Sequence, residues 1–358
     1  MRKTVFAPAE SVPAQEGRAE PSPGRAAASR GGEAYLGLDT SNYRTSLAAV
    51  SPEGEILLNL RELLPVEKGG RGLRQSDALY AHLKRLKEMM PALAELARER
   101  RIAAVCASTR PRNRADSYMP VFEAGDTVGR GIAAAKGIPF FPTDHQRGHL
   151  RAAVRGTRLE GEETFLALHL SGGTTDLLLA ESAEIIPLGT SLDLHAGQLM
   201  DRVGVALGLS FPAGPEMEEL ARRGQSRGML GCAMTDGDLS CHLSGAEAQA
   251  GRLIREGTLS PEDLSREVFD LLARTVCRML TAGEKKTGHH SALICGGIAS
   301  SGLFREMLSE RLRRRGSMLR TVFGEPELSG DNAVGAALIG RDLVLKGGGG
   351  AGPAMNPE

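Results

Sequence analysis

The chain has 358 residues, more than one hydrophobic core of about 250–300 residues accommodates, so two lobes are expected. Lysine plus arginine total 44, as do aspartate plus glutamate, and this zero formal charge argues against a chain that wraps nucleic acid unaided. Tryptophan is absent and aromatics are 4%, so the core must be aliphatic and platforms for stacking bare bases are few.

In chain order, residues 1–33 are rich in Pro, Ala, Glu, Arg, Ser and Gly without periodicity and read as a disordered tail. Tyr35-Leu36-Gly37-Leu38 opens the ordered region, a polar break follows at Asp39-Thr40-Ser41-Asn42, and strands are expected at 45–50 and 56–60. The spacing of Leu79, Leu83, Leu86, Met90, Leu93 and Ala97 predicts a helix over 76–97. A strand at 102–108, a small-residue helix at 127–135 and a strand at 138–141 complete the first unit.

The pattern then repeats. Strands are expected at 165–170, 176–180 and 185–188, with Ser171-Gly172-Gly173-Thr174-Thr175 as the polar break. Helices follow at 197–208, 215–223, 246–254 and 261–280, the last started by Ser260 before Pro261. A strand at 291–295 ends in Gly296-Gly297, and helices at 302–315 and 332–345 close the fold. Residues 347–358 read as a second disordered tail.

Two copies of one strand–turn–strand–strand unit, each followed by helices, indicate an α/β protein with the duplicated two-lobed plan of the actin/Hsp70/sugar-kinase (ASKHA) fold and a central interlobe cleft. Lobe I is expected to span 34–150, completed by the C-terminal helix 331–346, and lobe II 151–330. Neither a dinucleotide-binding nor a P-loop glycine motif follows the first strand.

His145 and His149 lie four residues apart, which on a helix places both imidazoles on one face within reach of one metal ion; two surface histidines beside a turn is the plainer alternative. Asp331 is the candidate third ligand, or else an N-cap of the last helix. A His₂Asp set suits zinc, iron or manganese. Ser171-Gly172-Gly173 and Gly296-Gly297 are candidate seats for a phosphate, and the first also reads as a simple hairpin turn. Asp201 is placed to bond a ribose, or to form a surface pair, and Gly214 to bring backbone close to a ligand.

Arg110, Arg112 and Arg114, and the run Arg311, Arg313, Arg314 and Arg315, are candidate basic patches; the run also reads as a solvated helix end. The five cysteines, Cys106, Cys232, Cys241, Cys277 and Cys295, are odd in number and lack a C-x-x-C spacing, as expected of a reduced cytoplasmic protein. No apolar run reaches the ~18 residues of a membrane span, and no secretion signal is seen.

The ordered set of motifs resembles the TsaD (Gcp) family, from about Tyr35 to Leu343. That family's E-T-S-x-x-E-T is similar to Asp39-Thr40-Ser41-Asn42-Tyr43-Arg44-Thr45, its H-x-E-G-H to His145-Gln146-Arg147-Gly148-His149, and its L-V-S-G-G-H-T to His169-Leu170-Ser171-Gly172-Gly173-Thr174-Thr175. Its F-D-K and P-G-G-P resemble Met200-Asp201-Arg202 and Pro212-Ala213-Gly214-Pro215, and its S-G-L-K resembles Ser244-Gly245-Ala246-Glu247. Its G-G-V-S-A-N and T-D-N-G resemble Gly296-Gly297-Ile298-Ala299-Ser300-Ser301 and Gly330-Asp331-Asn332-Ala333.

The resemblance implies transfer of a threonylcarbamoyl group to N6 of the adenosine next to the tRNA anticodon. It implies one divalent metal, iron or zinc, on His145, His149 and Asp331. ATP or threonylcarbamoyl-AMP is expected against His169, Leu170, Ser171, Gly172, Gly173, Asp201, Gly214, Gly296, Gly297 and Ser301. tRNA would be reached through a complex with a smaller TsaB-like paralogue and a TsaE-like ATPase.

Several positions depart from the family pattern. Arg110-Pro111-Arg112-Asn113-Arg114 replaces a G-P-G loop, Arg147 a Glu, Thr174 a His, Glu247 a Lys and Ser301 an Asn. They suggest a divergent paralogue. The alternatives are a nucleotide-binding assembly or regulatory subunit, or a carbamoyltransferase with another acceptor.

Overall fold

The computed structural model describes residues 31–41, 44–64, 73–113, 117–181, 184–328 and 330–347. Apart from residues 31–33 and 347, the two expected tails lie outside these, as do Asn42, Tyr43 and Arg114.

Two five-stranded mixed sheets share one strand plan. In the first, β1 (Glu33–Asp39), β2 (Arg44–Val50) and β3 (Ile56–Leu63) form an antiparallel meander. After helix α1 (Gln75–Glu99), β4 (Arg101–Arg110) joins β1 in parallel. Helix α2 (Phe122–Lys136) then leads to β5 (Phe140–Asp144), parallel to β4, giving the order β3-β2-β1-β4-β5. Helix α3 (His145–Val154) starts directly at the end of β5.

The second sheet repeats this plan with β6 (Thr164–Leu170), β7 (Thr175–Glu181) and β8 (Ile185–Thr190) as the meander. Helices α4 (Ala196–Ala206) and α5 (Gly214–Arg223), the ribbon β9 (Ala233–Thr235) and β10 (Ser240–His242), and helices α6 (Ser244–Glu256) and α7 (Pro261–Thr287) come next. The parallel strand β11 (Ser291–Cys295), helix α8 (Gly302–Arg314) and strand β12 (Arg320–Phe323) complete the order β12-β11-β6-β7-β8. Helix α9 (Val334–Gly347) ends the described chain. The Ser260 hydroxyl accepts the Asp263 amide at 3.1 Å, so the cap read from the sequence starts α7.

Strand alternation decides what each face meets. In β1, Leu36 and Leu38 pack with Leu86, Met89 and Leu93 of α1, while Tyr35 packs with Val334, Ala337 and Leu338 of α9. In β6, Leu166, Leu168 and Leu170 face α7, while Phe165 and Ala167 pack with Leu150 and Val154 of α3. Each sheet is therefore covered on both sides, and its central strands are correspondingly apolar. Helices α3 and α9 cover the inner faces of the two sheets and pack on each other. Residues that continue the inner face of a strand, Asp39 after Tyr35 and Gly37, and His169 after Phe165 and Ala167, consequently point between the sheets.

The ribbon β9–β10 and the strand β12, with three or four residues each, are not anticipated from the sequence. All five cysteines are free thiols. Among the described residues no helix is long and apolar enough to cross a membrane.

Candidate metal centre

The Asp144 side chain accepts the Arg147 amide at 2.8 Å, an N-cap that turns the chain from β5 straight into α3. His145 is thus the first residue of the helix, and His149 stands one turn later on the same side. Asp331 arrives from the other end of the chain, in the loop before α9. It does not cap that helix; the Asn332 side chain does, accepting the Val334 amide at 3.0 Å.

Three ligand atoms converge. His145 Nε2 and His149 Nε2 are 2.9 Å apart, and Asp331 Oδ1 is 3.1 Å from His149 Nε2 and 3.6 Å from His145 Nε2. A metal bonded at about 2.0–2.2 Å to each would hold its ligands roughly 2.9–3.5 Å apart, so the spacing fits a single ion. All three atoms lie within 4.8 Å of one another.

The far nitrogen of His145 is already fixed. Its Nδ1 faces Asp39 Oδ2 at 2.8 Å, which keeps a proton on Nδ1 and leaves Nε2 free for a metal. Asp39 is held in turn by the hydroxyl of Ser41 at 2.6 Å and its amide at 3.1 Å. Burial alone would raise the Asp39 carboxyl, but the His145 charge and hydrogen bonds outweigh it and hold the group below its usual range. Burial likewise opposes charge on His145, yet Asp39 and Asp331 raise it to about 10 without metal. His169, 5.0 Å from His149 between ring centres, is pushed down to about 3 by burial and by the neighbouring histidines, so it is a neutral imidazole.

The convergence depends on the glycine at position 335. A Cβ on Gly335 of α9 would lie 1.8 Å from the carbonyl oxygen of Gly148 in α3, so α9 passes closer to α3 than any side chain permits. This contact sets Asp331, just upstream of α9, beside the two histidines.

The triad opens on a cleft of 1260 Å³ between the sheets. His169, Ser171, Gly172, Gly173, Asp201 and Gly297 line it with His145, His149 and Asp331. An adjoining cavity of 420 Å³ is bordered by Gly214 and Ser301. Together they have room for a nucleotide-sized ligand. Gly172, Gly173 and Gly297 have open space where a Cβ would stand, so ligand atoms can approach their backbone. Asp201 gives one oxygen to the Ala213 amide at 2.9 Å, and Ser301 caps α8 through the Phe304 amide at 3.1 Å.

Two expected residues lie elsewhere. Leu170 is turned into the core against α7, because strand alternation sends it opposite His169. Gly296, at φ +100°, is a packing glycine: a Cβ there would meet the Leu170 carbonyl oxygen at 2.1 Å. Asp39 is read from the sequence as part of a polar break and of the motif similar to E-T-S-x-x-E-T, and its place behind His145 follows from the tertiary pairing. Of the basic patches, Arg112 reaches across to Asp176 of β7 at 2.8 Å. Arg311 pairs with Asp270, and Arg313 and Arg314 with Glu310, so that run is largely an ion-paired helix end.

A family model described as tRNA N6-adenosine threonylcarbamoyltransferase, TsaD, matches residues 79–338. The chain belongs to the TsaD family. A TsaD relative, the tRNA N6-adenosine threonylcarbamoyltransferase of Thermococcus gammatolerans, is 27% identical over 313 residues, covering 87% of this chain and 92% of the relative. Among solved structures, full-length HypF in its phosphate- and nucleotide-bound form superposes with TM-score 0.57 at 10% identity. That match covers 87% of this chain and 46% of HypF, so the chain spans under half of HypF's length. A ROK hexokinase from Thermus thermophilus gives TM-score 0.52 at 16% identity, over 87% of this chain and 99% of the hexokinase. These similarities establish an ASKHA-type α/β fold for this TsaD-family chain.

One expected result follows from the carboxylate behind His145. Asp39→Asn keeps the shape of the side chain but removes its charge, and lowers metal affinity roughly 10- to 100-fold. Competition with a chromophoric chelator measures this. Unchanged affinity would make Asp39 a structural group only.

Proposed function

We propose that this protein transfers a threonylcarbamoyl group from threonylcarbamoyl-AMP to N6 of the adenosine next to the anticodon in tRNA, and that the reaction requires the metal held by His145, His149 and Asp331. The supporting observation is the convergence of these three side chains on a cleft walled by the two glycine turns, in a chain of the TsaD family.

The exocyclic amine attacks the carbamoyl carbon. A C–N bond forms, the C–O bond to the phosphate breaks, AMP leaves with the electron pair, and the amine proton passes to solvent. An iron or zinc ion bound at the triad supplies Lewis acidity toward carbonyl or phosphate oxygens. Backbone at Gly172, Gly173 and Gly297 lets the nucleotide portion approach closely. Asp201 keeps one oxygen for a ribose hydroxyl while the other holds Ala213. His169, at the end of β6, lines the cleft beside His149 and borders the ligand on the histidine side. The zero net charge suits a protein that meets tRNA with TsaB-like and TsaE-like partners in the cytoplasm.

The test is incubation of metal-loaded protein with unmodified tRNA and threonylcarbamoyl-AMP, with and without a TsaB-like subunit, followed by nucleoside mass spectrometry. Threonylcarbamoyladenosine is the expected product. Its absence in both conditions, with metal bound, would turn the assignment toward another acceptor or a non-catalytic subunit.

A further inference from the structure

Three arginines line the cleft, and they differ in what they face. Arg112 pairs with Asp176, and Arg202 with Glu247 at 3.1 Å. Arg44, the first residue of β2, has no side-chain hydrogen bond or ion pair among the described residues, and its Nε is buried without an acceptor. Its Nη1 packs on Gly330, where a Cβ would come within 2.9 Å of it. The guanidinium therefore sits beside the residue preceding Asp331. Among the described residues Arg44 forms no ion pair with Asp331, whose Oδ1 faces His149 and His145.

A buried donor without an acceptor is costly, and a guanidinium fork is suited to the two oxygens of a phosphate or carboxylate. We infer that Arg44 binds an oxyanion of the small ligand in the cleft, holding it next to the metal ligands. This rests on the reading of the cleft given above and adds the side chain that selects charge at the ligand's metal-facing end. The similar TsaD motif has Glu where this chain has Arg44, so the preference is this chain's own.

Calorimetry on metal-loaded protein with three probes, AMP, N-carbamoylthreonine and adenosine, tests it. Arg44→Ala is expected to weaken the oxyanion-bearing probe roughly 10- to 100-fold, the worth of a charge-assisted pair, and to leave adenosine within about twofold. Loss on AMP alone identifies a phosphate, and loss on N-carbamoylthreonine alone a carboxylate. Arg44→Lys keeps the charge without the fork and is expected to fall between; it also serves should Arg44→Ala fold poorly. Equal affinity of Arg44→Ala and wild type for both anions overturns the inference, as does failure of the wild type to bind either. Because adenosine and the tRNA assay report on the cleft independently, that failure would not be confused with failure of the transfer reading.

Discussion

His149→Ala is expected to empty the metal site and to lower threonylcarbamoyl transfer roughly a thousandfold, since a Lewis-acidic ion contributes several kcal/mol to the transition state. His149 is 8% exposed, and its Nε2 is within 3.1 Å of both other ligand atoms. Its removal leaves one imidazole and one carboxylate, too few to fix an ion against competing water. Arg147→Ala is the control: Arg147 is on the same helix, lies 3.7 Å from Asp144 and does not line the cleft, so metal content stays near that of the wild type. Elemental analysis and the nucleoside assay, run on both variants, check the contrast. Transfer within tenfold of wild type in His149→Ala would separate the chemistry from the metal.

Gly335→Ala and Gly148→Ala are expected to have opposite effects, although the two glycines touch. The Cβ added at position 335 would lie 1.8 Å from the Gly148 carbonyl oxygen, and backbone cannot rotate away. Helix α9 must then lift from α3, at a cost of roughly 3 kcal/mol or more, or about 4 °C or more in Tm for a chain of 358 residues. Asp331 moves with α9, so metal retention falls as well. A Cβ at position 148 finds only ordinary contacts, 3.9 Å from the Ala336 nitrogen and the Ser108 hydroxyl. Alanine there raises helix propensity and is neutral or stabilising by about 0.5–1 kcal/mol. Thermal melting with and without added zinc measures both effects. Equal destabilisation by the two variants would contradict the close passage of the helices.

The strand–turn–strand repeat was legible because each unit opens with apolar strands that pass through a polar break, and the Ser171-Gly172-Gly173 turn could be placed on it. The helix pattern of α1 was legible from Leu79, Leu86 and Leu93. Strands of three or four residues, such as β12, carry too few apolar positions to stand out. The His145–His149 pair was visible from spacing, but Asp331, 182 residues beyond His149, read from its turn alone as either a third ligand or an N-cap, and the resemblance implied the first. Leu170 and Gly296 were placed in the site by their neighbours in sequence, whereas a strand's alternation and a packing contact send them elsewhere. Asp39 behind His145, and the passage of Gly335 over Gly148, depend on contacts between distant segments that no local pattern encodes.

X-ray absorption at the metal edge, on protein loaded with one equivalent of zinc or iron, examines the centre most directly. Two imidazole nitrogens and a carboxylate oxygen at about 2.0–2.2 Å are expected, and the signal of an ion in this site is expected to disappear in His145→Ala. A first shell lacking imidazole, or one unchanged by that substitution, would mean that the ion sits elsewhere and that the cleft is not a metal-dependent transferase site.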